Sequence, residues 1–140
     1  MRRFLCLFSV LPLACVHSAD AGRLQLDDGR RVAQLTRAES TAVLFYDPSR
    51  CFTCGTTLPE WVAWRVGHPE QVRLVLTRQP TDGERRQLRA GRVQVDGLAR
   101  GAGWMVEGRA ARVVLLVDGR EAWSGETGPA QLFSLQQVRK

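Results

Sequence analysis

The clearest apolar run in the chain is Ala42-Val43-Leu44-Phe45-Tyr46, which is followed by Asp47-Pro48. A short uninterrupted run with β-branched and aromatic members, bounded by turn residues, predicts a core strand over Thr41 to Tyr46. Val72 to Thr77 has the same character and predicts a second such strand with parallel neighbours. Between the two, Leu58, Trp61, Val62 and Arg65 recur at helical spacing, so a helix is expected from Leu58 to Val66, stopped by Gly67 and Pro69. Trp61 and Trp64 read as core and rim aromatics of that helix. Upstream, Arg23 to Leu26 and Arg31 to Leu35 flank Asp28-Gly29, a β-hairpin pattern, and the polar stretch Thr36 to Ser40 links it to the first core strand. Downstream, a helix is expected over Asp82 to Ala90, capped by Thr81 or Asp82. Strands follow at Arg112 to Val117 and Glu121 to Ser124, joined through Asp118-Gly119. A last helix, Pro129 to Val138, opens with proline in its first turn. The glycine-rich stretch Gly91 to Ala111 predicts no clear element, and its Trp104 and Met105 either cover a site or fill the core. The order predicts an α/β sandwich, a central mixed sheet flanked by helices, with an N-terminal β-hairpin.

The first residues break this pattern. Arg2 and Arg3 precede an apolar stretch, Phe4 to Leu13, that is short for a membrane span, and small residues follow at Ser18 and Ala19. Residues 1–20 therefore read as a signal peptide and 21–140 as the folded domain, with export to the periplasm or the outside. Leu13-Ala14-Cys15 offers a competing reading, a lipoprotein signal ending before Cys15, in which the protein is lipid-anchored to a membrane. Pro12 stands where that pattern wants an aliphatic or small residue.

About 120 residues then remain, enough for one core. The chain carries 20 basic and 14 acidic residues; without Arg2 and Arg3 the basic count falls to 18, a net charge of about +4. Arginines are scattered among acids, with Lys140 the only lysine. No basic face interleaved with aromatics is evident, so nucleic-acid binding is not expected.

Four cysteines are present, Cys6, Cys15, Cys51 and Cys54. The first two fall in the leader, leaving Cys51-Phe52-Thr53-Cys54 as the one pair, between the first core strand and the first helix. No further ligands remain for zinc, and His68, beside Gly67 and Pro69, reads as a helix-ending residue; neither metal nor cofactor is expected. A thiolate at a helix N-terminus meets unpaired N–H groups and the positive end of the dipole, and Arg50 adds a cation, so the Cys51 thiol would be acidified. A second thiol at i+3 can resolve a mixed disulfide. The chemistry expected is thiol–disulfide exchange. The alternative is a single structural disulfide, although a loop of four residues removes little unfolded-state entropy.

Three local features, taken with the order of elements, resemble the thioredoxin superfamily, in particular its exported TlpA-like and AhpC/TSA-like redoxin branch. Leu26-Asp27-Asp28-Gly29-Arg30-Arg31-Val32 looks like the hairpin that such redoxins place before the first core strand. Pro59, five residues after Cys54, matches their helix-kinking proline. Val113-Val114-Leu115-Leu116-Val117-Asp118-Gly119 looks like their closing antiparallel strand and turn. The resemblance implies Cys51 as solvent-facing nucleophile and Cys54 as buried resolving thiol. It also implies protein thiols and disulfides as substrates and an upstream membrane or periplasmic electron donor.

The chain departs from that pattern in two places. The cis-proline that such proteins carry before the strand matching Val113 to Val117 is missing, and Arg112 stands there; no proline occurs between Pro80 and Pro129. An arginine at this place is similar to peroxiredoxins, where it helps activate the attacking thiolate, so a peroxide reductase is one alternative. A redox-inactive binding or scaffold module is another. The buried acid that some thioredoxins use is replaced by Leu44, and Asp47 reads as a turn residue rather than a base.

Overall fold

The computed structural model describes residues 20–52, 57–107 and 109–138. The expected signal segment and the Cys15 lipidation position lie outside the described residues. Strand β1 (Ser40–Tyr46) is buried along nearly its whole length, as an unbroken apolar run requires when it forms the centre of a sheet. It pairs in parallel with β2 (Val72–Leu76) and antiparallel with β4 (Ala111–Val117). A two-residue strand, β3 (Gly97–Leu98), lies parallel to β2 at one edge, and β5 (Arg120–Gly125) is antiparallel to β4 at the other. The sheet order is β3-β2-β1-β4-β5, and both parallel and antiparallel pairs are present.

Among the described residues three α-helices complete the α/β architecture: α1 (Leu58–Gly67), α2 (Asp82–Ala90) and α3 (Pro129–Val138). Thr81 caps α2 reciprocally: its Oγ1 accepts from the Glu84 N–H at 3.2 Å, and its own N–H donates to the Glu84 carboxylate at 2.8 Å. Alternation along β1 divides the core. Ala42, Leu44 and Tyr46 pack with Leu58 and Trp61 of α1, Leu88 of α2 and Leu132 of α3. Val43 and Phe45 pack with Leu26, Val32, Leu35, Met105 and Val106 from segments that are not α-helical. The α-helices thus meet one core and short 3-10 turns meet the other.

The N-terminal hairpin expected from Arg23 to Leu35 is not formed. Around the Asp28-Gly29 turn only one isolated antiparallel bridge joins Gln25 to Arg31, and Val32–Leu35 is a 3-10 helix. The reason is local. Gln34 Oε1 accepts from the Arg31 N–H at 2.7 Å and curls the chain. The three-residue repeat then buries both Val32 and Leu35, whereas an extended arm would place them on opposite faces. The stretch Gly91 to Ala111, which gave no expected element, supplies β3 and the 3-10 turn Gly103–Met105. Met105 fills the core while Trp104 remains half-exposed.

Candidate functional site

The site starts where β1 ends. Tyr46, the last strand residue, is turned toward the helix-covered face, and its hydroxyl donates to the Arg50 carbonyl at 2.7 Å. Asp47 then turns the chain: its Oδ1 accepts from the Ser49 N–H at 2.9 Å and from the Ser49 hydroxyl at 2.6 Å, and its carbonyl accepts from the Arg50 N–H. This tight turn delivers Cys51, which is exposed and disulfide-bonded. Phe52 follows with its ring edge-on to Tyr46, the centroids 6.2 Å apart. Cys54 and Thr53 lie outside the described residues. Tyr46 therefore supports both the backbone before Cys51 and the side chain after it.

Asp47 is also the electrostatic centre of this corner. Arg78 Nε lies 3.2 Å from its Oδ1, Arg78 Nη2 lies 2.6 Å from Glu84, and Arg50 Nε lies 3.9 Å from Asp47 Oδ2. Partial burial acts to raise the Asp47 carboxyl, but the Ser49 hydrogen bonds and the Arg78 charge outweigh it and hold the group below the ordinary carboxylate range. Burial, with the nearby Asp47 and Glu84 charges, pushes the Tyr46 phenol up, so it remains a hydrogen-bond donor at neutral pH. Asp47 is a turn and charge-pairing residue, as its place ahead of Pro48 suggested, and the cation on Arg50 is shared with it.

The helix starts at Leu58, where it was expected, but the cysteine lies ahead of it. As described, α1 begins at Leu58 with Thr57 preceding it, so Cys51 does not occupy its first turn. Pro59 explains the boundary: lacking an N–H, it fits the first turn, where no intrahelical partner is needed. It therefore starts the helix and does not kink it. Thr57 makes no side-chain cap of its own; its hydroxyl donates to the Thr127 carbonyl at 3.3 Å, and Trp61 Nε1 donates to the same oxygen at 2.9 Å. Fully buried Trp61 ties α1 to the turn before α3, and half-buried Trp64 stacks on Phe133 of α3, so the two tryptophans divide into core and rim. His68 ends α1 with its N–H on the Trp64 and Arg65 carbonyls and its ring stacked on Trp64. Among the described residues no cluster of ligands suited to a metal ion occurs.

The loop facing this corner comes from the segment before β4. The Asp47 N–H donates to the Ala110 carbonyl at 3.0 Å, and Ala110 and Ala111 pack on the cluster that holds Tyr46 and Phe52. Arg112 points the other way. It pairs across the sheet with Phe45, its Nη2 donates to Ser124 Oγ at 2.7 Å, and Nη1 lies 3.5 Å from the Met105 carbonyl, all on the face away from α1. One residue of register decides this, since successive strand side chains alternate in face. Ala111, not Arg112, faces the corner, and Leu44 is buried beneath α1. The structure thus gathers Tyr46, Asp47, Arg50, Cys51 and Phe52 beside Ala110 and Ala111, with Pro59 at the start of the neighbouring helix and Arg112 apart. The roles of Tyr46 and Arg78 had no signal in the sequence beyond the strand ending at Tyr46.

A mixed five-stranded sheet with this order and the three helices among the described residues match the thioredoxin-like class of fold. Among solved structures the chain is similar to a domain of a possible thiol-disulfide isomerase from Cytophaga hutchinsonii, 14% identical over 84% of this chain and 88% of that one, with a TM-score of 0.56. It is also similar to StoA from Bacillus subtilis, 16% identical over 81% of this chain and 93% of that one, with a TM-score of 0.51. No protein-family model and no curated protein matches the chain.

Proposed function

We propose that the protein is an exported thiol–disulfide oxidoreductase that works through Cys51 and Cys54. The observation that carries this reading is the exposed, disulfide-bonded Cys51 delivered by a braced turn at the end of the central strand of a thioredoxin-like sheet. In the reducing direction the Cys51 thiolate attacks one sulfur of a protein disulfide; a Cys51–substrate S–S bond forms, the substrate S–S bond breaks, and the departing sulfur takes a proton. Cys54 thiolate then attacks Cys51, releasing the second substrate thiol and leaving the Cys51–Cys54 disulfide. A protein dithiol donor at the membrane or in the periplasm supplies the two electrons for the next cycle. The same sulfurs run the reverse reaction. Removal of residues 1–20 during export to an oxidising compartment suits this chemistry.

A second reading, a thioredoxin-like binding module with a permanently closed disulfide, draws on one observation: α1 begins at Leu58, so its dipole is not aimed at Cys51 from within the first turn. Turnover separates the two. With dithiothreitol as reductant, the oxidoreductase catalyses reduction of insulin disulfides, and Cys51→Ser abolishes that catalysis. A folded wild-type chain that adds nothing to the uncatalysed rate supports the binding module.

A further inference from the structure

At the opposite end of the sheet from Cys51, four arginines meet at a polar pocket of about 390 Å³ whose walls include Arg30, Gln34, Arg37, Arg65, Arg73 and Asp96. Arg73 is the unusual member. It is the second residue of β2, on the face shared with Val75, and only 8% of it is exposed. Its Nε donates to the Leu35 carbonyl at 3.0 Å and its Nη1 to the Pro69 and Val72 carbonyls, which leaves Nη2 without an acceptor among the described residues. Neutral carbonyls orient the guanidinium but bring no countercharge, and a buried cation is costly until a negative group answers it.

The acids nearby are otherwise engaged. Asp96 holds Arg65 through two contacts of 2.7 Å and also accepts from the Leu74 N–H. Asp28 holds Arg30 at 2.7 Å. Asp96 also lends Arg73 a negative field, which the Arg65 and Arg37 charges oppose, and Glu70, whose smaller field reaches Arg73, is exposed and outside the pocket walls. Arg73 and the exposed Arg37 are left without a carboxylate partner among the described residues.

We propose that this pocket binds a phosphate group, either as inorganic phosphate or as the phosphate of a lipid headgroup. Guanidinium forks match phosphate oxygens in bidentate fashion. Cations approaching from the sheet (Arg73) and from the segment before β1 (Arg37, Arg30) suit a tetrahedral dianion better than a planar monoanion. The site is separate from the cysteine corner and does not depend on its activity.

The test is calorimetric titration of the mature chain with inorganic phosphate at constant ionic strength, chloride replacing phosphate in the control. A parallel arm measures co-sedimentation with phosphatidylcholine vesicles with and without phosphatidic acid. Arg37→Gln changes an exposed side chain and retains the fold; Arg73→Lys keeps the charge and removes the fork. Saturable phosphate binding that weakens by about tenfold or more in Arg37→Gln assigns the free ion, a loss of about 1.4 kcal/mol. Binding only to phosphatidic acid vesicles, with the same dependence on Arg37, assigns the headgroup. Failure to bind either probe, or affinities that Arg37→Gln leaves unchanged, overturns the proposal whatever becomes of Arg73→Lys.

Discussion

Asp47 does more in this structure than its place in a turn required. Its carboxylate closes the Ser49 turn and holds Arg78, which in turn reaches Glu84 at the start of α2. The Arg78 hydrogen bond lowers the Glu84 carboxyl, so both acids titrate below their ordinary values when folded. A depressed folded pKa contributes stability that is present above the unfolded value, near 4, and is lost as pH falls through the folded value. The network is partly solvated, so the effect is modest. Asp47→Asn is therefore expected to lower stability at pH 7 by about 1 kcal/mol and to flatten the acid limb of a denaturation series below about pH 4. An unchanged acid limb would show that the network does not couple to folding. Among single residues the sequence located Trp61, His68 and the turn role of Asp47, because each sits at an element boundary or a helical register that local pattern fixes. Arg112 was harder. Its face depends on which residue opens β4, and the run Ala110-Ala111-Arg112 carries no alternation to set that phase.

At the scale of elements, long apolar runs were legible and short ones were not. β1, β2 and β4 begin and end within a residue of the expected bounds, since continuous burial leaves no doubt about period, and Thr81 with Glu84 marked the start of α2. The hairpin failed because Asp28-Gly29 makes its turn but Val32 and Leu35 satisfy burial better in a 3-10 turn than in an extended arm. β3 was invisible because two residues carry no period. Gly97 within it has a structural reason: a Cβ there would lie 2.9 Å from Leu26 Cδ1, so a larger residue has to push the buried Leu26 side chain aside. Gly97→Ala is expected to cost about 1–3 kcal/mol by overpacking, read as a lowered denaturation midpoint. Combining it with Leu26→Ala, which vacates the contact, should cost less than the two changes summed; strict additivity would mean the contact is not the cause. Pro59 marks the same limit for helices, because one residue can kink a helix or open it and local sequence does not distinguish the two.

For the whole molecule, the mixed sheet with a central buried strand followed a single sequence of elements, and similarity to solved structures at 14% and 16% identity reproduces that architecture. The proposed chemistry lies at the end of β1, where Tyr46, Asp47 and the Ala110 carbonyl hold the turn that presents Cys51. No helix among the described residues is long and apolar enough to span a membrane. The proposed phosphate pocket lies at the other end of the same strands, away from the proposed cysteine site. Activity at Cys51 is the central claim, and trapping tests it without knowledge of the natural client. With Cys54→Ser the resolving step is blocked, and a mixed disulfide between Cys51 and an offered protein disulfide should accumulate, visible as a mass adduct that dithiothreitol removes. The account predicts that adduct in Cys54→Ser and its absence in Cys51→Ser; no adduct in either variant, with both chains folded, would contradict it.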